Sequence, residues 1–311
     1  MIKKMISRKI IISSLALFTL CLLTIFPKKN NIDIEVSTFY TNDNKLQNIF
    51  LLNDYNMLSL TKVISNNIDV ELNAKDLLNV LIKDGIGEDI IPNGFKSFIP
   101  SSTKILNIDY NDGIIKINFS KDLLDVDVNY EEKVIESIVY TLTSIKDVKG
   151  VIISVENELL TYLPKSKKIL PEVLTRKFGI NKEYDITSIH DISKVTVYYL
   201  NKYNDNVYYV PVTKYINEDI EPIEVIIDCL SSSILSNNLI SYLNSNINIQ
   251  NIEKTDNILK LDFNDYIFND LENESIKEEV INTISLSIED NYDIDEYIIT
   301  VDNEEIYRKK M

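Results

Sequence analysis

Apolar and polar positions alternate in short runs along much of the chain, interrupted by stretches where apolar residues recur every three to four positions. Ile108 and Tyr110, then Ile115, Ile117 and Phe119, sit between polar neighbours, the period-two pattern of half-buried strands. Asp112-Gly113 divides the two groups. A two-residue turn of this kind needs φ > 0 at both central positions, which predicts a hairpin. Val134, Ile135, Ile138, Val139, Leu142 and Ile145 then share one helical stripe, and Asn129 with Glu132 predicts the start of that helix. A closing strand is predicted over 151–158 (VIISVENE).

The same order returns later. Residues 107–120 (NIDYNDGIIKINFS) and 251–264 (NIEKTDNILKLDFN) match at six of fourteen positions, with Asp256-Asn257 at the second turn. Val280, Ile281, Ile284 and Ile288 repeat the stripe after Ser275 and Glu278, and YIITVDNE at 297–304 repeats the closing strand. Upstream, Asn73 predicts the start of a helix with Leu77, Leu78, Leu81 and Ile82 on one face. Its counterpart starts at Glu221-Pro222, with proline at the first helical position, and carries Val225, Ile226, Cys229 and Leu230. Each copy opens with strand-like runs: 36–40 with 49–52, and 195–199 with 207–212.

The expected fold class is α+β: two tandem copies of a mixed, mainly antiparallel sheet with two helices each, behind an N-terminal transmembrane or signal helix. The expected organisation is a signal-anchor over 1–29, a first domain over 34–158, a linker strap over 159–193 and a second domain over 194–307.

Charge sharpens the picture. The chain carries −16, but residues 1–29 hold six Lys or Arg and no acidic residue, leaving −22 on residues 30–311. A body this acidic repels phosphate backbones, so nucleic acid is not an expected partner. It also repels anionic headgroups, so contact with the membrane is expected only through the N-terminal helix. There Ile10–Phe26 is an uncharged apolar run that would span about 25 Å as a helix. The basic residues before it predict a cytoplasmic start and an extracytoplasmic body. No small-x-small cleavage pattern follows, which favours an uncleaved anchor. Cys21 is a candidate for lipid attachment, although Leu20 stands where a small residue ordinarily precedes a lipid-modified cysteine. Cys229 has no partner in the exported part, so no disulfide framework is expected.

The inventory for catalysis is thin. His190 is the single histidine and falls in the strap, and metal sites built on His or Cys lack ligands. Asp109-Tyr-Asn111-Asp112-Gly113 resembles a calcium loop, but its glycine comes one position early and the closing glutamate is missing. None of the common nucleotide, hydrolase or zinc-protease motifs occurs. No catalytic residue, cofactor or metal is expected. The loop Pro92-Asn93-Gly94-Phe95 is a candidate contact loop, with Phe95 either presented outward or folded back as an anchor.

Several segments together resemble the GerM family of sporulation and spore germination proteins, built from two GerMN domains. They are IIPNGF (90–95), IPSSTK (99–104), INFS (117–120), VYTLTSIKDVKGVIISV (139–155), RKFGIN (176–181), VTVYYL (195–200) and YYVPVTK (208–214). The family commonly shows Gly where Ser102 and Asn157 stand, and the second copy lacks the PNGF and IPSSTK segments. The resemblance implies a noncatalytic, membrane-tethered protein of endospore formation or germination. It would work by contact with protein partners of the sporulation envelope complex, in the space between mother cell and forespore. The alternative is an extracytoplasmic peptidoglycan-binding module, with the aromatic pairs at 39–40, 198–199 and 208–209 stacking on sugars.

Overall fold

The computed structural model describes residues 46–311 except 189, 218–219, 233–234, 236–237 and 271–274. The apolar run Ile10–Phe26, Cys21 and the expected strand at 36–40 lie outside the described residues. Among the described residues no helix is long and apolar enough to cross a membrane. Asn44–Met311 forms one compact unit.

Its first half contains strands β1 (Leu46–Asn53) and β2 (Leu58–Ile64), helix α1 (Val70–Leu81), the short β3 (Phe95–Lys96), β4 (Ile105–Asn111), β5 (Ile114–Phe119), helix α2 (Val128–Leu142), β6 (Gly150–Val155) and β7 (Glu158–Leu159). After the strap strand β8 (Glu183–Asp185), the second half repeats this order among its described residues, without a counterpart of β3. It has β9 (Ser193–Tyr203), β10 (Asn206–Ile216), α3 (Pro222–Ser231), β11 (Ile249–Thr255), β12 (Ile258–Phe263), α4 (Glu278–Asn291), β13 (Glu296–Val301) and β14 (Glu304–Lys310). Each copy therefore ends in one strand more than expected. The expected closing strands break at Glu156-Asn157 and Asp302-Asn303, all four with positive φ, and turn back as hairpins.

Local chemistry accounts for most elements. Asp112 and Gly113 adopt φ of 48° and 82° between β4 and β5; in the second hairpin only Asp256 is left-handed, at 51°. Ile115, Ile117 and Phe119 turn inward while Lys116 is exposed. α1 and α2 start earlier than their capping patterns indicate, because other side chains reach the free amides; α3 starts at Glu221-Pro222 as expected, and the cap position of α4 falls two residues later than Ser275. Asp69 accepts from Leu72 N at 3.0 Å and Asp127 from Asn129 N at 2.9 Å, whereas α4 follows Lys277 with no side-chain cap. With caps at Asp69 and Glu221, Cys229 corresponds to Leu77 rather than to Leu81.

Each half has its own four-stranded mixed sheet, β4-β5-β6-β7 and β11-β12-β13-β14, with antiparallel, parallel and antiparallel pairings in the same order. Each also has its own core: one around Phe50, Phe119, Ile138 and Tyr140, the other around Val197, Phe263, Ile284 and Tyr297. The expectation of one sheet per copy is corrected at the opening hairpins. β1-β2 and β9-β10 join in a single six-stranded sheet, with Leu60 opposite Tyr209. The outer edges of that sheet are covered from within. Ser137 and Thr141 of α2 bond to Phe50 O and N, while Ser287 and Asn291 of α4 bond to the backbone of Tyr198 and Thr196. Side-chain hydroxyls and amides thus satisfy strand edges that would otherwise pair with another chain.

The strap threads between the halves. The Arg176 guanidinium pairs with Asp290 of α4 and donates to Ser144 Oγ at 2.7 Å, Thr143 Oγ1 at 3.2 Å and Tyr198 OH at 3.3 Å. Tyr198 OH donates to the other Asp290 oxygen at 2.9 Å, and Tyr140 OH donates to Arg176 O at 3.0 Å. One cation therefore sits against the C-terminal end of α2 and a buried carboxylate of the second half. Burial works against its charge, yet Asp290 and the two tyrosines raise its pKa above the ordinary arginine value. Five residues on, Asn181 fills the gap where β2 and β10 part. Its Nδ2 donates to Leu58 O at 2.7 Å and Pro211 O at 2.8 Å, and its Oδ1 accepts from Leu58 N at 2.9 Å. Proline at 211 has no N–H to give β2, so a side chain takes the place of a ladder bond.

Candidate functional site

The groove of interest is built by the segment between α1 and β4. α1 ends at Leu81, and Ile99 then runs parallel beside Ile82, with Lys83 N donating to Ile99 O at 2.9 Å. β3 pairs Phe95 and Lys96 with Asn53 and Leu52. Between these anchors the chain turns at Pro92-Asn93-Gly94, where Gly94 has φ +89° and Phe95 N donates to Pro92 O at 3.2 Å. A left-handed position favours glycine.

Packing makes the same demand. A Cβ on Gly94 would lie 2.4 Å from the Tyr203 ring of the second half. Gly94→Ala is therefore expected to destabilise the protein by about 1–3 kcal/mol, read as a lowered urea midpoint.

Phe95 folds back. Its ring meets Tyr208 edge-on at 4.9 Å and packs against both cores. The candidate loop Pro92, Asn93, Gly94 and Phe95 thus touches the second half of its own chain and presents its other side to a groove of about 770 Å³. Pro100, Ser101 and Ser102 form the next part of the wall, and Asp125, Val126, Asp127 and Tyr130 close it from the entry to α2. Two segments that carry the family resemblance, IIPNGF and IPSSTK, therefore meet around one cavity.

The groove is chemically mixed. Phe98 and Tyr130 are half-buried, with ring centroids 6.2 Å apart and planes tilted by 48°. Glu88, Asp125 and Asp127 bring carboxylates, and Lys83 and Lys96 bring ammonium groups. Such a surface suits noncovalent recognition of a partly apolar, partly charged ligand. The volume lies within the range of small-ligand and peptide sites. Sequence reading missed Phe98, Tyr130 and the two aspartates as a group. Their signal was local only in part, since 98 and 130 meet through the fold.

Other candidates fall elsewhere. Cys21 lies outside the described residues. His190 is exposed in the strap, its N–H donating to Ser188 Oγ and its carbonyl accepting from Asn217. Cys229 is half-buried against the second core, and burial pushes its thiol pKa up, so it is a poor nucleophile. Among the described residues no group of three or more His, Cys, Asp or Glu is placed to hold a metal ion. The aromatic pairs offered as a sugar platform are mainly core. Tyr198, Tyr199 and Tyr208 are buried and Tyr209 is half-buried, while residues 39–40 lie outside the described residues.

Comparison with known proteins agrees with this architecture. The Germane family profile, described as sporulation and spore germination, matches residues 40–161 and 196–307. The spore germination protein GerM of Bacillus subtilis (strain 168) is 31% identical over 234 residues, covering 72% of this chain and 63% of that protein. The chain thus spans less than two thirds of the length of this relative. The structure of the tandem GerMN domains of the sporulation protein GerM from Bacillus subtilis matches with a TM-score of 0.75 at 25% identity. That match covers 83% of this chain and 91% of the other. The two profile matches together take in well over half of the chain, one for each hydrophobic core, and the chain belongs to the Germane family of sporulation and spore germination proteins.

Proposed function

We propose that this protein is a noncatalytic contact protein of the sporulating cell envelope. An N-terminal helix anchors it, and it meets its protein partners between mother cell and forespore through the groove lined by residues 92–102 and 125–130. Family membership supports the role in sporulation. The observation that carries the contact reading is the groove itself, where half-buried aromatic rings and charged side chains of both signs line one open cavity. Its wall is held in place, because the lining residue Phe95 packs against both cores and the neighbouring Ile99 is fully buried. A rigid site loses little ordering entropy on binding.

The test is the double variant Phe98→Ala with Asp125→Lys, introduced at the native locus of a sporulating host. Heat-resistant spore counts or germination are expected to fall to the level of the deletion strain, with protein abundance unchanged on immunoblots. Wild-type counts from stably produced variant protein would remove the groove from the reading. A deletion strain with normal spore yield and germination would remove the role itself.

A further inference from the structure

A second cavity, of about 370 Å³, opens where the strap crosses α2. Glu136 lines it and is only 3% exposed. One carboxylate oxygen accepts from Asn181 N at 3.0 Å, and the other lies 3.4 Å from Lys182 Nζ. Asn181 is the residue whose side chain joins β2 to β10. The next strap residue back, Ile180, exchanges bonds with Thr213 of β10 through Thr213 Oγ1 and Ile180 O. A buried acid therefore holds the backbone of the segment that staples the two halves of the shared sheet.

We propose that Glu136 is a proton-operated latch: while its carboxyl is protonated, residues 180–182 stay docked across β2 and β10, and its ionisation loosens them.

The surroundings set the direction. Burial pushes the Glu136 pKa up to about 7, against the pull of Lys182, the Asn181 amide and Lys133, and with the help of Glu132. The charged and titratable groups around it are Glu132 and Lys133 from α2, Lys168, Lys182, Glu183 and Tyr184 from the strap, Tyr55 from the β1–β2 turn, and Lys214 and Tyr215 from β10. Burial opposes ionisation of Glu132 as well, but Lys168 and Lys182 both bond to it and hold its pKa below the usual carboxylate value. Burial, then Tyr184, Glu132 and Glu136, push Tyr215 up to about 12, so it stays neutral. Glu132 and Tyr215 therefore keep their states near neutral pH while Glu136 changes its own.

An acid whose folded pKa exceeds its unfolded value binds a proton more tightly when folded. The stabilisation is complete below the unfolded value of about 4.5 and is lost as pH rises through about 7. Above that, a carboxylate faces a cavity large enough to admit water, and hydration of the open strap offsets the cost of burying the charge.

The test is hydrogen exchange on the full chain in detergent micelles, corrected for the intrinsic pH dependence and followed at Leu58, Ile180, Asn181 and Thr213. Between pH 5.5 and 8 the opening constant of these amides is expected to rise about 30-fold in the wild type. Glu136→Gln should flatten the profile. Lys182→Met, which removes the nearest cation, should move the transition to higher pH. A flat wild-type profile, a Gln variant with the wild-type slope, or a Met variant shifted to lower pH would each overturn the latch. The wild-type and Met profiles decide the matter even where the Gln variant fails to fold.

Discussion

Arg176→Ala is expected to lower the unfolding free energy of Asn44–Met311 by about 3–5 kcal/mol, the usual range for leaving a buried charge without its partner. Asp290 is 1% exposed at its side chain and, among the described residues, would keep the Tyr198 hydroxyl as its side-chain partner. Ser144 and Thr143 would lose their donor at the end of α2 in the same step. Arg176→Lys keeps the charge but not the planar fork that reaches both halves, so it should lose about half as much. The double variant Arg176→Met with Asp290→Leu should recover most of the loss, because no charge is then buried alone. Urea denaturation of the four proteins reads this directly. An alanine variant within about 1 kcal/mol of wild type would mean that the cation does not clamp the halves together.

The second large effect belongs to Asn181→Leu. Leucine is close in size, but it leaves Leu58 N, Leu58 O and Pro211 O without their side-chain partner in a buried place. Each unsatisfied group costs about 1–3 kcal/mol. The residue also has φ 45°, which asparagine tolerates better than leucine. A total loss of about 3–5 kcal/mol is expected, with the two halves melting apart instead of together. Urea transitions followed separately by peptides from β1-β2 and from β12-β13 would show the split. A single unshifted transition would show that the seam does not depend on this side chain.

How much of this was legible depended on the range over which each signal acts. The Asp112-Gly113 hairpin and the stripe of α2 follow from chemistry within a few residues, and both stand in the structure, except that the helix ends at Leu142 and leaves Ile145 in the turn beyond it. No strand is expected between the apolar run 49–52 and the first helix, yet residues 58–64 return antiparallel beside that run as β2. By alternation alone, the short runs VENE and VDNE read as strand ends. In fact Glu156-Asn157 and Asp302-Asn303 are two-residue turns, and the asparagines were the available sign. The shared sheet left no local trace. Leu60 meets Tyr209 through a register that no period in either segment encodes. The groove was half legible: its loop was singled out, while Phe98 and Tyr130 approach only once α2 packs beside that loop.

The single point of pairing between β2 and β10 has a consequence for the order of events during synthesis. About 150 residues separate Leu60 from Tyr209, so the first hairpin emerges long before its neighbour exists. Until the second hairpin arrives, the nascent first half carries an open backbone edge on β2, the kind of surface that recruits stray strands. The strap precedes the second hairpin in the chain, and Asn181 supplies both a donor and an acceptor to Leu58. It can therefore blunt that edge while the rest of the polypeptide is still being made, guarding the unfinished sheet before it fastens the finished one.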